Sequence, residues 1–427
     1  MEEKRSTLGQ VQDCLALYNA AVVGMRPEEN LGLAHLLQLL NSCFGEAYRA
    51  KEEGRPLAWI NFGIPSEIFW AMDIVPVVVD VLAGLVAPTI LGSIATGYID
   101  IAQEHFPDYI CANNKVLLGA VLSGEMSAPD VFVHPANPCD SNLATYPVIA
   151  QHSNFPYFCV DMPYFKNERG VQYVANELKR LIAFLEEKTN RKLDFDRLRQ
   201  AMEYSNLAHE YFLKTAVLRE AVPCPYSSID VWAEYPAVLC MAGRPELVDY
   251  FKMRYEMTKE KVAKGEGGIA SGQEKYRVVW IYGAPAFDIL IFLWLENEYG
   301  AVAVGNMNSN FVMKPVEDIS DYDKIMTGLA KKTMLMPMTR ECGGPWEDYL
   351  DPTIELLRRY KADLAVFGGN VGCKASWAII KMVKDKISDE LGIPTLVLEM
   401  DLFDPRIASS DYIKDQFAKI FETVLKR

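Results

Sequence analysis

The chain has no GxxxxGK[ST] run, so it lacks the glycine-rich phosphate cradle of a P-loop nucleotide hydrolase. It has five histidines and no HxxxH pair, which sets aside the usual histidine-ligated zinc pattern. No CxxC occurs, so neither a zinc ribbon nor a thioredoxin motif is supported. Basic residues are in deficit. Lys and Arg total 43 against 57 Asp and Glu, a net charge of −14, and a nucleic-acid groove needs the opposite footprint. Long apolar runs are missing as well. The stretch Ile74–Ile90 contains Pro and Asp and is too short to span a bilayer. The first residues, Met1-Glu2-Glu3-Lys4-Arg5, are polar. These absences predict a cytoplasmic protein with no membrane segment and no nucleic-acid partner.

What remains is a compact-protein composition: half the residues are hydrophobic and 23% are charged. At 427 residues the chain predicts two or three domains. Its nine cysteines are an odd number. In a long chain of this kind a disulfide framework is not expected, which leaves metal binding, redox chemistry or buried thiols.

Two of those cysteines fall in a repeated pattern. Asp130-Val131-Phe132-Val133 is followed by a loop with Cys139-Asp140-Ser141, a helical stretch, and Phe155 through Asp161. Later, Asp363 through Phe367 leads into Gly368-Gly369-Asn370-Val371-Gly372-Cys373, then a helical stretch and Gly392 through Glu399. Each copy reads strand, cysteine loop, helix, strand, the unit of a parallel sheet. Ligands of open α/β sheets bind beyond the carboxyl ends of the strands. Both cysteines therefore stand where a cofactor is held.

The fold expected is α/β: two parallel-sheet, flavodoxin- or Rossmann-like domains plus N-terminal and connecting helices. Residues 1–55 form an N-terminal helical segment, with apolar residues at helical spacing over Gln10–Ala21 and Leu31–Ala50. Residues 56–165 form a first α/β domain, 166–269 connecting helices, and 270–427 a second α/β domain. Ser66 is a plausible N-cap for a helix from Glu67 to Met72. Lys264 through Gly268 reads as a flexible linker.

Cys111, in Asp108 through Lys115, joins Cys139 and Cys373 because it too opens a helical stretch. Three thiolates on three loops can hold one iron–sulfur cluster; equally, each can be a small buried apolar residue. Cys342, in a polar glycine-rich loop, ranks second as a ligand. Cys14, Cys43, Cys159 and Cys240 read as core, and Cys224 as a rigid non-ligand between prolines. Glu67 is either a first-turn charge favoured by the helix dipole or an active-site carboxylate. Asp161, Glu399, Asp401 and Asp404 read as strand-end caps. Gly265, Gly267 and Ala270 match a dinucleotide spacing but follow a charged helix where a strand is required.

In order and interval these motifs resemble the cysteine-bearing, alpha-type subunits of the 2-hydroxyacyl-CoA dehydratase and benzoyl-CoA reductase family. The likeness rests on Ile64 through Glu67, Ile110-Cys111, Pro138-Cys139-Asp140, Pro156 through Tyr164, Gly372-Cys373-Lys374 and Gly392 through Pro394. The resemblance implies a [4Fe–4S] cluster on Cys111, Cys139 and Cys373, between two α/β domains. It also implies an acyl-CoA substrate, a partner of the same fold (a homologous subunit or a second copy) and a separate ATP-hydrolysing iron–sulfur activator. In the dehydratases one injected electron gives a ketyl radical anion that expels the 2-hydroxyl; in the reductases the electrons enter an aromatic ring. One branch holds a double-cubane [8Fe–9S] cluster on six cysteines, for which Cys342, Cys224 and Cys159 are the spare thiols. The opposing class is a subunit that only relays electrons or scaffolds its partner. Dehydratase subunits carry serines after the tryptophan matching Trp59, whereas here the run is Trp59-Ile60-Asn61-Phe62-Gly63. A glutamate expected shortly afterwards is replaced by Asp80. Asn61 and Glu67 are thus the candidate catalytic residues, and the departures bear on dehydration itself, not on the cluster.

Overall fold

The computed structural model describes residues 6–20, 24, 31–89, 94–269, 273–312 and 314–425. Met1–Arg5, Ala21, Ile90 and Ala270 lie outside them. Two helices, α1 (Thr7–Tyr18) and α2 (Leu31–Arg49), precede the first sheet. That sheet is built from β1 (Leu57–Ile60), α3 (Ser66–Ala71), β2 (Val75–Val78), α4 (Val79–Leu85), α5 (Ile94–Gln103), α6 (Ala112–Leu122), β3 (Val131–Pro135), α7 (Asp140–Ser153) and β4 (Tyr157–Val160). Four helices follow: α8 (Glu168–Thr189), α9 (Phe195–Leu218), α10 (Ser228–Met241) and α11 (Pro245–Lys264). The second sheet then forms from β5 (Tyr276–Trp280), α12 (Leu290–Tyr299), β6 (Ala301–Asn306), α13 (Tyr322–Leu335), α14 (Thr339–Cys342), α15 (Glu347–Arg359), β7 (Leu364–Asn370), α16 (Lys374–Leu391) and β8 (Thr395–Met400), closed by α17 (Ser410–Thr423).

The strand orders are β2-β1-β3-β4 and β6-β5-β7-β8, and every pairing is parallel. The two halves share one topology. In each, the chain leaves the first strand to one side and returns on the other, so the order reverses between β1 and β3 and between β5 and β7. Such a switch point opens a crevice at the carboxyl ends of the strands. The central strands are mostly apolar because helices cover both faces, and β1, β3, β5 and β7 are buried along their whole length, with His134, Arg277 and Asn370 as buried polar exceptions.

Helix α10 joins the halves. It packs on α2 and β2 of the first and on β6 and α12 of the second. Its Pro236 sits mid-helix, and the sequence pattern did not single the helix out. Two local expectations are corrected. The N-cap of α3 is Pro65, with no side-chain bond, while Ser66 Oγ donates to the Ala242 carbonyl at 3.2 Å. The segment after α11 is not a free linker: Gly265 is open, but Gly268 N donates to the Cys224 carbonyl at 2.7 Å, and a β-carbon there would lie 2.1 Å from the Tyr226 backbone.

Candidate functional site

Three helices open on a cysteine. Cys111 is the N-cap residue of α6, Cys139 of α7 and Cys373 of α16, and none of the three N-termini has a side-chain cap. Cys342 ends the short α14. All four line one cavity of about 330 Å³ into which the strand ends of both sheets open. Helix N-termini present free N–H groups and the positive end of the dipole, so their convergence favours negative charge on the thiols.

The loops are held closely together. Asn370, at the end of β7, donates from Nδ2 to Cys111 Sγ at 3.3 Å, and its Oδ1 accepts from Gly372 N at 3.3 Å. Ser141 Oγ accepts from Cys111 N at 3.3 Å. Gly372 allows the contact between halves: a β-carbon built on it would stand 2.7 Å from both Cys111 Cα and the Ile110 carbonyl oxygen.

Burial dominates the acidity of Cys111 and Cys139. It raises Cys111 to about 12, with help from the neighbouring Cys373 and Asp401, and it raises Cys139 strongly. Cys342 and Cys373 share a hydrogen bond. Cys373 accepts it and is lowered to about 6, aided by Ser376 and the Tyr282 hydroxyl, while Cys342 is raised. Metal binding at buried thiols such as these displaces their protons. Among the described residues, no three His, Cys, Asp or Glu side chains close on one point as a single metal ion requires.

The two carboxylates of this region divide sharply. Asp80, second residue of α4, lines the cavity. Its Oδ2 accepts from Asn61 Nδ2 at 2.9 Å and from Phe62 N at 3.1 Å. Burial nevertheless outweighs those bonds and raises its pKa to about 7. Asn61 itself does not line the cavity; buried behind Asp80, it also reaches the Tyr146 hydroxyl at 3.4 Å. Glu67 is not brought to the cavity either. It is fully buried, accepts from Ser205 Oγ at 2.7 Å and pairs with Lys332 on α13. Burial pushes its pKa up, but the Lys332 charge and hydrogen bonds hold it below the usual carboxylate value.

The other cysteines separate cleanly. Cys14, Cys43, Cys224 and Cys240 are buried away from the cavity, and Cys159 is half-buried on the edge strand β4. Asn370 was not marked by the sequence pattern beyond its place in a glycine-rich loop.

The family model for 2-hydroxyglutaryl-CoA dehydratase, D-component, matches residues 61–424. The (R)-2-hydroxyisocaproyl-CoA dehydratase alpha subunit of Clostridioides difficile is 22% identical over 402 residues, 91% of this chain and 95% of that protein. The (R)-phenyllactyl-CoA dehydratase alpha subunit of Clostridium sporogenes is 22% identical over 391 residues, 87% of this chain and 90% of that protein. A benzoyl-CoA reductase subunit of Thauera aromatica is 24% identical over 359 residues, 76% of this chain and 79% of that protein. With a match that spans all four cavity cysteines, the chain belongs to the enzyme family of the 2-hydroxyglutaryl-CoA dehydratase D-component.

Proposed function

We propose that this chain is the cluster-bearing subunit of an acyl-CoA dehydratase, with a [4Fe–4S] cluster on Cys111, Cys139 and Cys373. The observation that carries the reading is the convergence of three cysteine-capped helix N-termini on one cavity. The donor set fits. A four-iron cluster takes each thiolate on a different iron, so its ligands ring a volume and need not meet at a point. Cys342, beside Cys373, is the neighbour available as a fourth thiol. When bound, such a cluster supplies one-electron chemistry at low potential.

The chain's own residues do the rest. Asn370 steadies the Cys111 sulfur and damps its charge. Asp80, with a pKa of about 7, is suited to hold or release a proton at its carboxyl oxygens near neutral pH. Asn61 is a positioning residue that orients Asp80. Glu67, spent on Lys332, has no part in this scheme. A homologous partner subunit and a separate ATP-hydrolysing iron–sulfur activator complete the reading, because the relatives are named as subunits and this chain has no P-loop. Nine free cysteines suit a reducing, cytoplasmic setting.

A second reading, reduction of an aromatic thioester, is favoured by Asn61 standing where dehydratases are expected to have serine and by the likeness to the benzoyl-CoA reductase of Thauera aromatica. The double-cubane cluster has less support, since Cys159 and Cys224 do not line the cavity. The deciding experiment is iron and acid-labile sulfide per chain after anaerobic purification, with EPR of the reduced protein. About four of each is the expected result, and Cys373→Ala should lose iron while keeping its fold. No iron after reconstitution would overturn the proposal. Turnover of 2-hydroxyacyl- against aroyl-thioesters, with partner and activator present, then separates dehydration from ring reduction; none in any combination would leave a relay or scaffold.

A further inference from the structure

The cavity extends beyond its cysteine end to α2 and α10, and the walls there are largely apolar. From α10, Ile229, Trp232, Ala233, Pro236 and Leu239 face it at helical spacing. From α2, Leu33, Leu37 and Leu40 do the same. Among the described residues, no Lys, Arg or His lines any part of it, and its two carboxylates are Asp80 and Asp140. The buried lining atoms left without a hydrogen-bond partner are neutral: Trp232 Nε1, Asn113 Oδ1, Asn142 Nδ2 and Asn308 Oδ1. The α2 wall also lies before residue 61, where the family match begins.

From this we infer that the chain selects thioesters whose acyl group is uncharged and bulky-apolar, branched aliphatic or aryl-alkyl, and rejects dicarboxylic acyl groups. The inference rests on the acyl-CoA reading above. A second carboxylate in this cavity would be stripped of water with no cation to meet it and with two carboxylates facing it. An apolar acyl group gains from every leucine and aromatic face it covers.

The test is isothermal titration of the full-length chain, anaerobically purified, with 4-methylpentanoyl-CoA, 3-phenylpropanoyl-CoA, glutaryl-CoA and free CoA. The two apolar thioesters should bind roughly 100-fold tighter than glutaryl-CoA. Glutaryl-CoA binding as tightly as either would overturn the inference while leaving the acyl-CoA reading intact. Affinities all equal to that of free CoA would place the acyl group outside the cavity and overturn it too. If no thioester and no CoA binds, the acyl-CoA reading falls and takes the inference with it. Leu37→Arg should reverse the order in favour of glutaryl-CoA. Because a buried arginine can cost the fold, Trp232→Leu serves as the second variant. It should weaken 3-phenylpropanoyl-CoA about tenfold and leave free CoA unchanged; equal loss for both ligands would count against the cavity as the acyl site.

Discussion

Gly372 and Cys111 touch backbone to backbone across the two halves of the molecule, and there is no room between them for a methyl group. Gly372→Ala must push the Cys373 loop away from the α6 N-terminus. We expect the variant to fold, since the strain is confined to two loops, and to retain under about half the iron of the parent after identical reconstitution. Iron analysis with far-ultraviolet circular dichroism checks both halves of that statement.

Asn370→Leu removes the donor to Cys111 Sγ and the acceptor for Gly372 N together. Iron affinity should fall roughly tenfold, in the range expected when a partner of a ligand is lost. Competition against a chelator measures it. An unchanged affinity would mean that the hydrogen bond to sulfur is idle.

Glu67→Gln keeps shape but strands the Lys332 ammonium in the interior. Breaking one side of such a buried pair costs about 3–5 kcal/mol. Urea unfolding should show that loss, and Glu67→Gln with Lys332→Met should recover much of it. Iron content of the folded single variant should match the parent, which separates a packing carboxylate from one that serves the site.

Asp80 gives a pH signature. Its folded pKa, about 7, lies above its unfolded value. Its contribution to stability is therefore complete below about pH 4 and is lost as pH climbs through 7. The parent should become less resistant to urea between about pH 4 and pH 7, and Asp80→Asn should flatten that slope. The same variant should slow turnover by about 100-fold if the carboxyl carries a proton in the reaction.

The strand–cysteine–helix units were readable because the buried parallel strands open on apolar runs, Val131-Phe132-Val133 and Leu364 through Phe367, and the residue that opens the next helix follows within a few positions. The joining of those units into one cavity was not. It depends on α10, whose Pro236 interrupts the helical signal, and on pairings over great sequence distance. Asn370 reaches Cys111 across 259 positions, and nothing beside either residue announces it. Glu67 misleads for the same reason: a first-turn acid looks the same whether it faces a cavity or, as here, a lysine 265 positions away. Asn61 stood in a noticed place, but its task of holding Asp80 is set by the pairing of β1 with β2, which brings the ends of those strands side by side.

The four sulfurs divide evenly by origin. Cys111 and Cys139 come from the first sheet's half, Cys342 and Cys373 from the second's. Whatever is gripped by both pairs at once acts as a clasp across a seam that is also held by side-chain packing, the long helices and hydrogen bonds such as Thr89 N to the Phe287 carbonyl. Stripping it away frees the seam, and protease cuts should appear first in the loops on either side of that seam, ahead of any loss of the sheets themselves.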